Sequence, residues 1–398
     1  MQQNLFRFTG YAAAFLLPLA LVWLSPIYGL IAWAVSFLAF GKWTPKIWPM
    51  LLFAGFVDWE LISVYWSTNR PAGWADVVMV LPFGLMGVLA NGLTAEDPQR
   101  WARRFADAFA WATTLCWTAI FCYSLAKFGW VSYNDFALGE RLGIHFQSLY
   151  LIIAALILER RIWSESAGVS WVNAVAVLWL LVGIIFLSAR IHLLSVPVLM
   201  MARLFELYRR NPSWRKHIIR WGTIAIAVLG AMVLTLPGPS RRIEDLVNEL
   251  RSVDGMMGGK QTNHRIFIWK YGIDIIKKAP LLGVGNGNGE DVLHEELLTC
   301  DAKFYNKKEP YYLHEFRYDF HNVWIQCWAE GGIIAFLLMA GIFLWGLTQS
   351  SGSMSYAWMA LLISSTTESL LDKQAGVFLL TFMVALTALS SRERQSLR

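Results

Sequence analysis

Charge is what this 398-residue sequence has least of: Asp, Glu, Lys and Arg make up 16% of it, where a soluble globular chain carries about a quarter. That shortfall, beside 56% hydrophobic residues, excludes a soluble protein. Cysteine is also scarce. Of the four, Cys116, Cys122 and Cys327 lie in or at the edge of apolar runs, and Cys300 alone falls in hydrophilic sequence. A disulfide framework is excluded there, and no CxxC or Cys/His spacing points to a metal. Gly-Lys-Ser/Thr is missing, which removes a Walker phosphate loop; the alternating Gly283, Gly285, Gly287 and Gly289 follow a helix, which removes a dinucleotide fingerprint. Carboxylates paired at metal-binding spacing are lacking too, and Glu290/Asp291 and Glu295/Glu296 read as solvated helix faces. No small-residue cleavage site precedes a soluble domain, so Tyr11 to Leu24 reads as a retained first span.

What the sequence has instead is apolar runs and tryptophan. Twenty-one Trp suit a chain whose rings line the boundary between hydrocarbon and headgroups. Runs of about 15 to 22 mostly apolar residues number about twelve. They lie near 8–24, 27–41, 47–66, 75–92, 105–127, 143–159, 171–188, 190–207, 217–236, 322–348, 354–370 and 374–390, with 171–207 readable as one broken helix. The net charge of +6 is no nucleic-acid signal, because the basic residues sit in short loops between these runs. With the N-terminus in the cytoplasm, Arg7, Lys42, Lys46, Arg100, Arg103, Arg104, Arg160, Arg161, Arg203, Arg209, Arg210, Arg215, Lys216, Arg220, Arg392, Arg394 and Arg398 share one side. The other side holds Arg70, Lys127, Arg141, Arg190 and Lys373. The positive-inside rule then fixes an all-α polytopic membrane protein in three parts: spans one to nine in 1–236, a mainly helical periplasmic segment in 237–320, and spans ten to twelve with a cytoplasmic tail in 321–398.

Within the periplasmic segment, Pro237, Gly238 and Pro239 stop the ninth span and Gly255 to Gly259 read as loop. Ile266, Trp269, Ile273 and Ile276 then recur at helical spacing, which predicts an amphipathic helix capped by Thr262 or Asn263 and ended before Pro280. Such a helix either lies on the membrane surface or roofs a site at the bilayer edge. Arg265 in its first turn opposes the helix dipole, so stability alone does not ask for it; an anion at the helix start does, and so does a lipid phosphate. Arg190 sits in a very short connection on the side poor in positive charge, where it either snorkels to headgroups or meets a partner. Two arginines from separate elements suit a diphosphate, since each guanidinium binds oxygens bidentately. His321 immediately precedes the tenth span and is able to take a proton from a hydroxyl at neutral pH; its plainer role is a hydrogen bond to a loop carbonyl. His314, close to His321 in sequence, is a candidate substrate-binding residue, as are His192, Tyr311 and Tyr312; His192 and His264, which flank the arginines, are weaker choices for the chemistry. Tyr311 and Tyr312 could stack on sugars, though interfacial aromatics are the simpler reading.

The string Arg265-x-x-x-Trp269, Pro280-Leu-Leu-Gly-Val-Gly-Asn-Gly287, His321-Asn322 and Gly331-Gly332 resembles the O-antigen ligase and polymerase family, most of all its ligases, over roughly residues 181 to 350. The resemblance implies a GT-C-like architecture and an inverting, metal-independent glycosyltransferase of the bacterial inner membrane, with no cofactor. Its donor would be a glycan on undecaprenyl diphosphate, its acceptor a sugar hydroxyl of lipid A-core at the periplasmic face. By the same resemblance His321 is the base or acceptor-orienting residue, and Arg265 and Arg190 hold the diphosphate; the stretch Leu187 to His192 departs from the family's small, Gly-containing pattern. A polymerase and a protein O-oligosaccharyltransferase share this donor chemistry. A lipid or polysaccharide transporter is a different class, for which Asp58, Glu60 and Glu368 near span ends speak most.

Overall fold

A computed structural model describes residues 2–19, 26–94, 97–128, 143–164, 168–235, 240, 244, 264–300, 303–306 and 309–391. Fourteen helices of at least nine residues form among these. The first nine are α1 (Gln2–Leu19), α2 (Ile27–Phe40), α3 (Ile47–Ser63, prolonged by a 3-10 turn Val64–Trp66), α4 (Arg70–Gly92), α5 (Pro98–Phe128), α6 (Ile144–Ile162), α7 (Trp171–Leu187), α8 (Arg190–Arg210) and α9 (Arg215–Thr235). After them come α10 (His264–Lys278), α11 (Gly289–Leu297), α12 (Val323–Gln349), α13 (Ser353–Ser365) and α14 (Gln374–Ser390). Each apolar run of the sequence is occupied by a helix. Six of them, α3, α4, α5, α8, α9 and α12, are long and apolar enough to cross a membrane. The stretch 171–207 is two helices: Ser188 takes a left-handed conformation (φ 51°) that ends α7 before α8 begins. The predicted caps at Thr262 and Asn263, and the loops at 237–239 and 255–259, lie outside the described residues.

The main core is a bundle in which α6 and α14 are the inner helices. Phe146 to Glu159 of α6 and Ala375 to Leu389 of α14 are buried all the way round, as expected of helices apolar on every face. Large apolar residues such as Trp48, Val78, Leu234 and Leu344 stay exposed on the outside, where the surrounding phase must be apolar to accept them. The two ends of the bundle are tied differently. At one end Lys46 bonds Ser391, Gln99 bonds the Ser390 carbonyl, and Arg160 bonds the Arg103 carbonyl. At the other, Thr68 and Asn69 bond Asn288 and Asp291 of a smaller second core.

That second core joins α10, α11 and a turn, Leu313–Glu315, through Ile268, Ile275, Leu293, Leu297, Leu313 and Phe320. A short hairpin, β5 (Lys303–Asn306) with β6 (Glu309–Tyr312), leads into the turn; β1 to β4 are two-residue pairs, Lys42–Trp43 with Leu93–Thr94 and Trp163–Ser164 with Gly168–Val169. The amphipathic helix is present, but its buried face is rotated from the predicted one. Ile268, Gly272 and Ile275 are buried while Ile273 is exposed, because the helix packs on α12 and α11 rather than on one flat apolar surface. The acidic pairs of α11 are not all solvated either: Asp291 accepts from Asn69 Nδ2 (2.6 Å) and Arg317 (2.7 Å), and Glu296 pairs with Lys278.

The glycine loop between Pro280 and Gly289 inserts against a break in α12. Gly332 has φ 67°, which interrupts the helix and releases its backbone groups from their helical partners. The loop satisfies them: Val284 N–H donates to the Ala329 carbonyl (2.8 Å), Gly285 N–H to Glu330 (2.9 Å), and Ile333 N–H donates to the Pro280 carbonyl (3.1 Å). Irregular backbone survives inside a bundle only with its polar groups paired in this way. Glycine is obligatory at Gly287, where φ is 80° and an added Cβ would stand 2.0 Å from the Gly73 nitrogen. At Gly332 it would stand 2.1 Å from the Leu281 carbonyl oxygen.

Candidate functional site

The site lies at the end of the bundle that carries the second core, where four segments meet: the starts of α6, α8 and α10, and the turn that opens α12. Asn322 makes that turn. Its side chain accepts from the Trp324 and Ile325 N–H groups, capping α12, and donates to the Thr366 carbonyl (3.0 Å). Directly before it, His321 adopts φ 47°. For a residue with a Cβ this conformation costs about 1–2 kcal/mol, so the surroundings must hold it. Asp319 does so by accepting from the His321 backbone N–H at 2.8 Å, and the same oxygen lies 2.9 Å from the ring Nδ1. Lys373 Nζ stands 3.3 Å from the other carboxylate oxygen. Burial would raise the Asp319 carboxyl, but the hydrogen bond and charge of His321, with Lys373, hold it well below the usual carboxylate range.

A second carboxylate organises the other half. Glu368 Oε1, in the α13–α14 connection, accepts from Arg265 at 2.8 Å and lies 3.1 Å from His145 Nδ1 at the start of α6. Burial pushes the Glu368 carboxyl up, against the pull of Arg265 and His321. Between the two halves sits His264, the first residue of α10, whose ring lies 5.3 Å from Tyr318 and 6.4 Å from His321. Burial, and then the positive charge of His321, Arg265 and Arg190, push His264 down to about 4. Those three groups therefore lie within electrostatic reach of one ring, although they come from three separate elements.

His192 is buried in α8, its Nε2 2.8 Å from Ser364 Oγ and its ring 6.3 Å from that of His145, so it supports the site from beneath. Tyr312 and His314 stack on each other at 5.3 Å beside the hairpin and take no part in the contacts through Glu368 and Asp319. The backbone of Tyr311 pairs with Phe304, and its side chain lies outside the described residues. Among the described residues no cluster of three or more His, Cys, Asp or Glu is arranged to hold a metal ion, and Cys116, Cys122, Cys300 and Cys327 are free thiols.

Sequence reasoning missed His145 and Asp319 and gave Glu368 to another function. Asp319 carried a readable signal, since a carboxylate two residues before a helix-preceding histidine reaches its ring across a turn. His145 had only its place at the start of a span on the same side as His321.

In its chemistry the assembly brings together a guanidinium bonded to a carboxylate, an imidazole with one nitrogen tied to a carboxylate, and a second histidine kept neutral by burial. A comparison with curated proteins returned no match. Residues 174–340, the stretch that contains Arg190, Arg265 and His321, match the family model described as O-antigen ligase.

Proposed function

We propose that the protein is an O-antigen ligase of the bacterial inner membrane, transferring a glycan from undecaprenyl diphosphate to a sugar hydroxyl of lipid A-core. The observation that carries this reading is the junction at the start of α10, where Arg265 is bonded to Glu368 (2.8 Å) and the ring of its neighbour His264 lies 6.4 Å from that of His321. A glycosyl diphosphate already contains a good leaving group, so the protein needs only to neutralise the departing charge and to accept one proton. His321 takes the proton from the acceptor hydroxyl. The acceptor oxygen bonds to the anomeric carbon from the side opposite the diphosphate, the carbon–oxygen bond to the diphosphate breaks, and its electron pair stays on the phosphate oxygen. Inversion follows from that single displacement, and Arg265 and Arg190 carry the diphosphate charge.

In this reading the site end faces the periplasm, residues 237–320 form the periplasmic segment, and the end holding Arg103, Arg160 and Lys46 faces the cytoplasm, as the positive-inside rule requires. Glu368 is bound to Arg265 and His145 at the mouth of the site, where it serves an anion-binding arginine, which speaks against the transporter it suggested from sequence.

The test is transfer by purified protein given a lipid-linked glycan and candidate acceptors. His321→Ala is expected to lose about a hundredfold or more of the rate, as removal of a general base does; a normal rate would sink the assignment. The product names the acceptor, separating ligase from polymerase and from protein O-oligosaccharyltransferase. Full activity is expected in chelator, and a loss restored by a divalent ion would overturn the metal-free mechanism.

A further inference from the structure

His321 alone does not explain why the turn before α12 is built as it is. Asp319 is buried, yet both of its carboxylate oxygens are occupied: one by the His321 backbone N–H (2.8 Å), the ring Nδ1 (2.9 Å) and Ser369 Oγ (3.4 Å), the other by Lys373 Nζ (3.3 Å). Lys373 reaches in from the α13–α14 connection with its side chain 54% exposed, and the His321 side chain is 25% exposed. A carboxylate facing a ring nitrogen requires that nitrogen to be the N–H, which leaves the other nitrogen as the acceptor. The carboxylate thus selects a tautomer, and the lysine fixes the carboxylate.

We propose that Asp319, clamped by Lys373, is the positioning residue of this site, holding the His321 ring through Nδ1 so that Nε2 is presented to the acceptor hydroxyl. The proposal rests on the reading of His321 as the base. It assigns to Asp319 no contact with substrate: its two functions are to keep the imidazole in one tautomer and to stabilise the imidazolium formed when the proton arrives. The proton moves from the acceptor oxygen to Nε2 and stays on the ring; none passes to Asp319.

The charged and titratable groups around His321 are Asp319 in its own turn, Lys373 and Glu368 from the α13–α14 connection, and His264 and Arg265 from α10. Two substitutions change them with opposite sign. Asp319→Asn removes the anion, so the acid limb of the pH–rate profile is expected to move to lower pH. Lys373→Met removes a cation from the carboxylate, so that limb is expected to move to higher pH. Turnover should fall about ten- to a hundredfold in Asp319→Asn, as for other partners that orient a working histidine, with the KM for lipid-linked donor unchanged. Asp319→Glu should recover part of it. A residue that merely braces the turn would lower the thermal midpoint and shift neither limb.

The measurement is the pH dependence of kcat and KM for full-length purified protein with a lipid-linked glycan, alongside thermal unfolding. Opposite limb shifts with unchanged KM support the proposal; coincident profiles, or shifts of the same sign, overturn it. If Asp319→Asn does not fold, the exposed Lys373→Met still decides. His321→Ala separates the two layers: an active His321→Ala defeats the base assignment, whereas an inactive one beside a normal Asp319→Asn defeats only the positioning role.

Discussion

Arg203 and Arg265 are each bonded to a buried carboxylate, and they are bonded differently. Arg203 of α8 donates to Glu159 of α6 (3.0 Å) and to Glu206 (2.9 Å), while Ser353 donates to the same Glu159 oxygen (3.0 Å). Both side chains of the Arg203–Glu159 pair are nearly sealed, at 9% and 3% exposure. Arg265 donates (2.8 Å) to a Glu368 shared with His145, and its side chain is 24% exposed beside two more histidines. The first pair ties three helices together near the end opposite the site; the second places a partly exposed guanidinium among histidines at the site end. Removing one partner of a sealed pair strands a charge; Glu368 is buried too, but it keeps His145 as a second partner when Arg265 is removed.

That contrast is open to direct attack. Arg203→Ala should destabilise the protein by about 3–5 kcal/mol, because Glu159 is left buried without its cation, and thermal unfolding in detergent or nanodiscs measures it. Arg265→Ala leaves the buried Glu368 with His145 still 3.1 Å away, so its loss of stability should be smaller than that of Arg203→Ala. Its effect should appear instead as a transfer rate lower by about 10² to 10³, the usual consequence of deleting one charge-stabilising donor. If Arg265→Ala unfolds the protein while Arg203→Ala does not, the comparison is inverted.

Acidification offers a gentler probe of the site end. His264 is held down to about 4 in the folded state, against about 6.5 for a free imidazole. The unfolded chain therefore takes up the proton first, so the stability this ring contributes is complete above the free value and is lost as pH falls from there towards 4. The midpoint should drop between pH 7 and pH 5, and His264→Gln should remove that part of the drop. Smallest of all, Glu368→Gln should leave Arg265 less firmly engaged and tighten donor binding about two- to fivefold, as expected when a competing carboxylate loses its charge. Donor affinity measured by titration decides the sign, and weaker binding would mean that Glu368 aids the donor rather than competing with it.

Much of the fold was legible in the sequence, for a simple physical reason: a long apolar run in a chain this poor in charge has few options beyond a helix, so helices α1 to α9 and α12 to α14 stand where hydropathy put them. The amphipathic helix and the residues Arg265 and His321 were legible too, because each breaks a local preference, a cation in a first turn and a histidine at the edge of a span. The β5–β6 hairpin was not, and helix α11 was legible only as a solvated helix face, because Leu293 and Leu297 find their partners only on packing against α10 and α12. The buried face of α10 was misjudged by one helical step for the same reason: periodicity locates a stripe, while the neighbours decide how it turns.

By itself the sequence determined that this is a helical membrane protein with a polar segment carrying arginine and histidine, because hydropathy and charge are properties of each stretch alone. Only the tertiary structure decided that the glycine loop fills the break in α12, that Glu368 binds Arg265 and His145, and that Asp319 and Lys373 bracket His321. Those pairings join segments as many as 223 residues apart (from His145 to Glu368), and no local preference specifies which carboxylate meets which cation; the shape of the assembled bundle does.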